Sequence, residues 1–409
     1  MQPHLLTIHP RRLFVVVGLA SLFLTYCLLW LLMINDPKQR TGSDFIGFYA
    51  LGRIAQTQGF GSIYNINSQE SVEEGVVGFH VLPEFYTHVP FISAISALVV
   101  NSDYINSFIR WTIILVLFNA ISSFLLVDTL HKTDFKMGEL LVLFAGVFLF
   151  FPTFTALMNG QDDAILLLGL AIWLWSLFSG RPFLAGLGLS LAVVRPQTAI
   201  FLAIPFLFNR RKVFWGFALG SAILVVISLG LIKTEGMVSY IHSLQFIEAT
   251  IWVQPHALDM PTISGMIRRN FDVINVAFVR DLIWGCYLMG IMVFCIVWAR
   301  SREILEKHMG LLALFSIVLV PYAHYHDLVI LLIPVICLIR VLSSRKIIGS
   351  QISSAIPLIV SLVALVGFIG PGTLKFPLVY CAELILGCLL LFPDRIIWKV
   401  KFWKGESNA

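Results

Sequence analysis

Few side chains in this 409-residue chain can do acid–base or charge-stabilising chemistry, since 58% of its residues are hydrophobic and only 12% are charged. Asp44 comes first, in Gly42–Ser43–Asp44–Phe45, just after a long apolar run. Its carboxylate can act as a general base toward a hydroxyl, or equally as the N-cap of a following helix. Asn159–Gly160–Gln161–Asp162–Asp163 follows, where glycine permits a turn and the amides and acids suit sugar hydroxyls; an acid there can also simply favour a helix dipole. Arg195 lies in Ala192–Val193–Val194–Arg195–Pro196–Gln197. A guanidinium matches phosphate oxygens bidentately, and its alternative is a structural ion pair with an aspartate such as Asp162 or Asp163. In His324–Tyr325–His326–Asp327 the H-x-H spacing lacks a matching third ligand, which favours phosphate or sugar contact over zinc. His88, in Tyr86–Thr87–His88–Val89–Pro90, opens another apolar segment, with structural and functional readings both open.

These residues must be positioned by membrane helices. The mean hydropathy is +0.89, and Leu13–Ile34 alone matches the roughly 20 residues that a bilayer demands. That run has no small-residue cleavage site, so it reads as a retained first span. Twelve apolar segments can be counted, and the chain divides most simply into one membrane domain, residues 1–409, with no detectable repeat. The net charge of +5 gathers in short loops such as Arg210–Arg211–Lys212, Arg300–Arg302 and Arg345–Lys346, a positive-inside pattern and not a nucleic-acid footprint. Both termini are thereby expected in the cytoplasm, with outer loops at residues 35–88 and 233–275. The first of these carries Phe45, Phe48, Tyr49, Leu51 and Ile54 on roughly one helical face, as an interfacial helix would. In the N-terminal half, Lys132–Lys136 and Arg181 both look cytoplasmic, so some segment there is short or re-entrant. Phe183–Phe208, broken at Arg195–Pro196, is the best candidate.

Six cysteines lie in apolar segments without a CxxC pair, so neither disulfides nor a thiolate metal site is expected. The phosphate-binding loop, the GxSxG elbow, HExxH and a strand-linked GxGxxG are all missing, which argues against nucleotide hydrolysis and soluble-type catalysis. A charge at membrane depth costs about 2.5–3.5 kcal/mol, so the acids and cations at span ends are functional candidates.

In order, Ser43–Asp44–Phe45 with Tyr49, Gly52, Gly59 and Ile63–Tyr64, then Tyr86–Pro90, Asn159–Asp163, Ala185–Pro196 and His324–His326 resemble glycosyltransferase family 87. That family comprises polyprenol-phosphate-mannose-dependent mannosyltransferases of the GT-C class. The sequence departs from it at Val89, Asp163 and Arg195, where proline, asparagine and lysine are usual. The resemblance implies an all-α polytopic membrane protein, a GT-C-like bundle of about 11–12 transmembrane helices. It implies inverting transfer of a hexose, mannose foremost, from a polyprenyl-phosphate donor to a glycolipid or other glycan on the non-cytoplasmic face of the plasma membrane. Asp44 would then be the base; Arg195, His324 and His326 would meet the donor phosphate; Tyr49, His88, Asn159, Gln161, Asp162 and Asp163 would contact sugar or acceptor. No cofactor and no metal are called for. The competing reading is a transporter or flippase of a lipid-linked or small solute, against which stand the lack of an inverted repeat and the gathering of polar residues on one side.

Overall fold

The computed structural model describes residues 10–79, 88–131, 133–249, 260–271, 276–347, 349–369 and 372–393. Tyr86, Thr87, most of the centre of the second outer loop and the basic C-terminal tail lie outside them. Eighteen α-helices and no strands occur among the described residues. The chain is therefore an all-α polytopic membrane protein.

Helix α1 (Pro10–Asn35) is the first span, and α2 (Pro37–Thr41) is a single turn capped by the Asp36 side chain. The segment expected as the first outer loop supplies α3 (Phe45–Thr57) and α4 (Ile66–Val77). Nearly every side of α3 is buried, including Phe45, Phe48, Tyr49, Leu51 and Ile54. Its apolar residues therefore pack against neighbouring helices rather than against lipid. Gly52 permits this approach, because a Cβ there would stand 2.9 Å from the Ser96 backbone of α5 (Phe91–Val99).

After α5 come α6 (Tyr104–Asp128), α7 (Met137–Phe148) and α8 (Phe151–Asn159). Then follow α9 (Asp163–Phe178), α10 (Pro182–Leu189) and α11 (Pro196–Ala203). The long α12 (Arg211–Ala249) changes direction at Lys233, whose φ is +56°. Beyond that break its residues pack on the segment between α3 and α4, with the Tyr64 and Tyr240 rings 4.6 Å apart. The remaining helices are α13 (Ile263–Phe271), α14 (Val276–Arg300), α15 (Glu306–Val318), α16 (Leu332–Ser344), α17 (Ser350–Ile369) and α18 (Gly372–Leu391).

Among the described residues, six helices are long and apolar enough to cross a bilayer, or seven if α7 and α8, bent by 42°, count as one span. The expected 11–12 spans thus resolve into fewer full-length helices and several shorter apolar ones. The reason is local. Gly160, Arg195–Pro196 and the α7–α8 bend cut apolar stretches into pieces, and a 12-residue helix covers only about 18 Å of a roughly 30 Å hydrocarbon core. Phe183–Phe208 does break at Arg195–Pro196, as its sequence suggests.

The nine-residue α5 accounts for the conflicting basic loops. Its two flanks both pack on the segment between α1 and α5: the Tyr64 hydroxyl donates to the His88 carbonyl before it, and the Tyr49 hydroxyl to the Ser102 carbonyl after it. At the far end of α6 the Trp175 indole donates to Asp128, and Arg340 reaches Glu306, the Thr129 carbonyl and the Phe178 ring. Side chains such as Leu24, Leu28, Ile113, Leu117, Val226 and Leu288 project outward as a lipid-facing coat. The span His326–Ser344, 83% buried, is the innermost of the six.

Candidate active site

The site begins with a turn. Helix α8 ends at Gly160 in the left-handed region, φ +70°, where a Cβ would lie 2.7 Å from the Cβ of Phe45. Glycine alone meets both demands. The Gly160 carbonyl accepts from the Trp111 indole at 2.7 Å, which pins the turn to α6. Held there, Gln161 donates through Nε2 to Asp44 Oδ2 at 2.6 Å. Asp44 occupies the N-cap position of α3 but makes no side-chain capping bond. Its half-buried carboxylate therefore faces the turn instead of the helix end.

One residue further, Asp162 meets Arg195. A residue before proline is pushed out of the helical region, and Arg195 at φ −124°, ψ 81° follows a 3-10 turn over Ser190–Val194 and precedes α11. Its guanidinium donates from Nε to Asp327 Oδ1 at 2.7 Å and from Nη1 to Asp162 Oδ1 at 2.8 Å, while Nη2 lies 3.4 Å from Asp163 Oδ1. The three carboxylates are at most 5% exposed. Burial pushes the Asp162 carboxyl up, but Arg195 and His88 beside it outweigh that and hold it well below the usual carboxylate range.

Three histidines rim the cluster. His88 Nδ1 stands 3.1 Å from Asp162 Oδ2, its carbonyl accepts from the Tyr64 hydroxyl at 2.6 Å, and its ring lies against Phe48. The His324 backbone N–H donates to Asp327 Oδ2 at 2.7 Å, while its ring meets the Tyr322 hydroxyl. His326 Nε2 is 3.7 Å from Asp327 Oδ2 and 3.9 Å from Asp163 Oδ2, and Asp44 lies within electrostatic reach of that ring. Residues from five separate stretches of sequence thus converge at the N-terminal end of the innermost span.

Eight of the ten sequence-derived candidates gather here: Asp44, His88, Gln161, Asp162, Asp163, Arg195, His324 and His326. Two do not join them. Tyr49 packs between Phe45 and Tyr104 and lines a hollow of about 420 Å³ with Arg53, Val72 and Gly75. Asn159 is exposed at the end of α8. Arg195 directs its nitrogens at carboxylates, so the ion-pair alternative describes its contacts better than an open phosphate fork. Asp327 is the partner that sequence reasoning left unassigned; an acid at the mouth of a strongly apolar segment was the available signal.

A polytopic helical membrane protein with a buried acid–cation–histidine cluster at one end of its bundle is the class that fold and site define. Residues 86–321, more than half of the chain, match the model of glycosyltransferase family 87. The chain belongs to that family and is a membrane glycosyltransferase. No curated protein and no solved structure shows significant similarity to it.

Proposed function

We propose that this glycosyltransferase moves a hexose, mannose foremost, from a polyprenyl-phosphate donor to a glycolipid or glycan acceptor, with inversion and with Asp44 as the base. The observation that carries the reading is Asp44 itself. At an N-cap position it leaves its helix uncapped and points its carboxylate at Gln161, beside the Asp162–Arg195–His88 network. A carboxylate so held can take the acceptor's proton as its oxygen attacks the anomeric carbon from the face opposite the phosphate. The glycosidic C–O bond then breaks and its electron pair leaves with the polyprenyl phosphate. We assign His88, His324 and His326 to meet that developing charge, while Arg195 positions the acids around them. Attack and departure from opposite faces give inversion.

The basic ends of α12 and α14 lie away from the site, which supports an outer-face location with both termini cytoplasmic; the plasma membrane is the bilayer in which we propose this happens. The experiment is to incubate purified protein with a panel of polyprenyl-phosphate sugars and assay released polyprenyl phosphate and sugar-bearing acceptor. Release with one sugar supports the reading. Solute accumulation in sealed vesicles with no transferred sugar would favour the transporter instead.

A further inference from the structure

Asp162, Asp163 and Asp327 surround a single guanidinium, so with every acid ionised the cluster would hold two more negative charges than positive ones almost out of water; burial and the neighbouring acids oppose that state and push the Asp163 carboxyl well up. Burying unpaired charge is costly, and a phosphate-bearing donor would be repelled by the same surplus. The two sides of these carboxylates differ. The Oδ1 atoms face Arg195, whereas Asp163 Oδ2, although fully buried, has no hydrogen-bond partner. It lies 3.9 Å from His326 Nε2, which in turn is 3.7 Å from Asp327 Oδ2, and Asp163, His326 and Asp327 each offer a ligand atom within 4.8 Å of the others.

We infer that Asp163, His326 and Asp327 bind a divalent cation of the manganese type on the side of the carboxylates away from Arg195. A point equidistant from three atoms so spaced lies about 2.2–2.5 Å from each, within the range of oxygen-ligated divalent cations. Two hard carboxylate oxygens and one imidazole suit manganese better than a thiolate-seeking metal. The cation brings the four ionised groups, three acids and one arginine, to neutrality, and it satisfies the orphaned oxygen. The H-x-H motif alone lacks a third ligand, and the fold supplies acids from α9 and from the mouth of the innermost span. Binding of the ion itself does not rest on the glycosyltransfer chemistry proposed above; its use toward a donor phosphate does.

The test uses the purified full-length protein in detergent, stripped with chelator and titrated with Mn²⁺ alone while the electron paramagnetic resonance signal of the free ion is followed. One Mn²⁺ per chain is expected, with affinity at least tenfold weaker in Asp163→Asn and in His326→Gln and unchanged in Glu383→Gln, a buried acid elsewhere. Size-exclusion profiles show which variants are folded, and His326→Gln leaves every carboxylate in place should Asp163→Asn fail. No uptake by the wild-type protein, or equal uptake by a folded His326→Gln, overturns the inference. Sugar transfer by metal-stripped protein that takes up no Mn²⁺ would sink the cation and leave the transferase standing; stoichiometric Mn²⁺ without transfer from any donor would do the reverse.

Discussion

Replacing Arg195 by methionine removes the one positive charge on which three buried carboxylates converge. Asp162, Asp163 and Asp327 have side chains 0%, 1% and 5% exposed, so water cannot take over. Breaking a buried ion pair by deleting one partner costs about 3–5 kcal/mol, and with three acids orphaned together the upper end applies. At roughly 2–4 °C per kcal/mol for domains of 150–250 residues, and somewhat less for a longer chain, melting falls by about 5–10 °C. Arg195→Lys keeps the charge but gives up the fork, and each charge-assisted hydrogen bond forfeited costs about 1.5–3 kcal/mol, which places it between the two. The assay is tryptophan fluorescence during heating of detergent-solubilised protein at pH 7.5 and pH 5.

The sign of the pH effect follows from linkage. In the wild-type protein the folded carboxyl of Asp162 titrates below its unfolded value, so its stabilisation is present above about pH 4 and disappears only as pH falls through that lowered value. In Arg195→Met the largest group holding the Asp162 carboxyl down is gone and only His88 still opposes burial, so the folded value rises above the unfolded one, and the deficit is full at high pH and shrinks on acidification. A melting temperature within about 1 °C of wild type, or a deficit that grows toward pH 5, would refute this reasoning.

Gly160→Ala must place a Cβ at φ +70° and 2.7 Å from Phe45; a loss of about 1–3 kcal/mol by thermal melting is expected, together with lower transfer as Gln161 moves from Asp44. Trp111→Phe leaves the buried Gly160 carbonyl without its indole donor, and about 1–3 kcal/mol of destabilisation should appear in the same assay. His88→Ala removes the ring beside Asp162 and Arg195, and steady-state kinetics should show a larger fall in kcat than rise in donor KM, as expected of a contact that strengthens in the transition state.

Much of the fold was legible because hydrocarbon-length apolar runs admit few alternatives to helices in a bilayer. The break at Arg195–Pro196 was legible for the same local reason, since proline removes a donor and unseats its predecessor from the helix. The number of full crossings was not, because α5, α9 and α10 are as apolar as a span and differ from one only in length and in tertiary partners. Within the site, Asp44, Gln161 and Arg195 stood out as polar groups at span ends. What spacing could not convey is where each side chain points. Tyr49 lies on α3 one turn beyond Phe45 yet turns into the outer-loop packing, and Asn159 adjoins the turn yet projects outward. Asp327 was obscured by its histidine neighbours, although Arg195, 132 positions earlier, binds it at 2.7 Å.

The central claim is that Asp44 accepts the acceptor's proton, and the most direct measurement is the turnover of Asp44→Asn with a donor accepted by the wild-type protein. The asparagine keeps the shape of the side chain and removes its basicity. The account predicts a folded variant with a wild-type melting profile whose sugar transfer falls by about 10²–10⁴-fold, the contribution of a positioned base. Transfer within about threefold of wild type would contradict it.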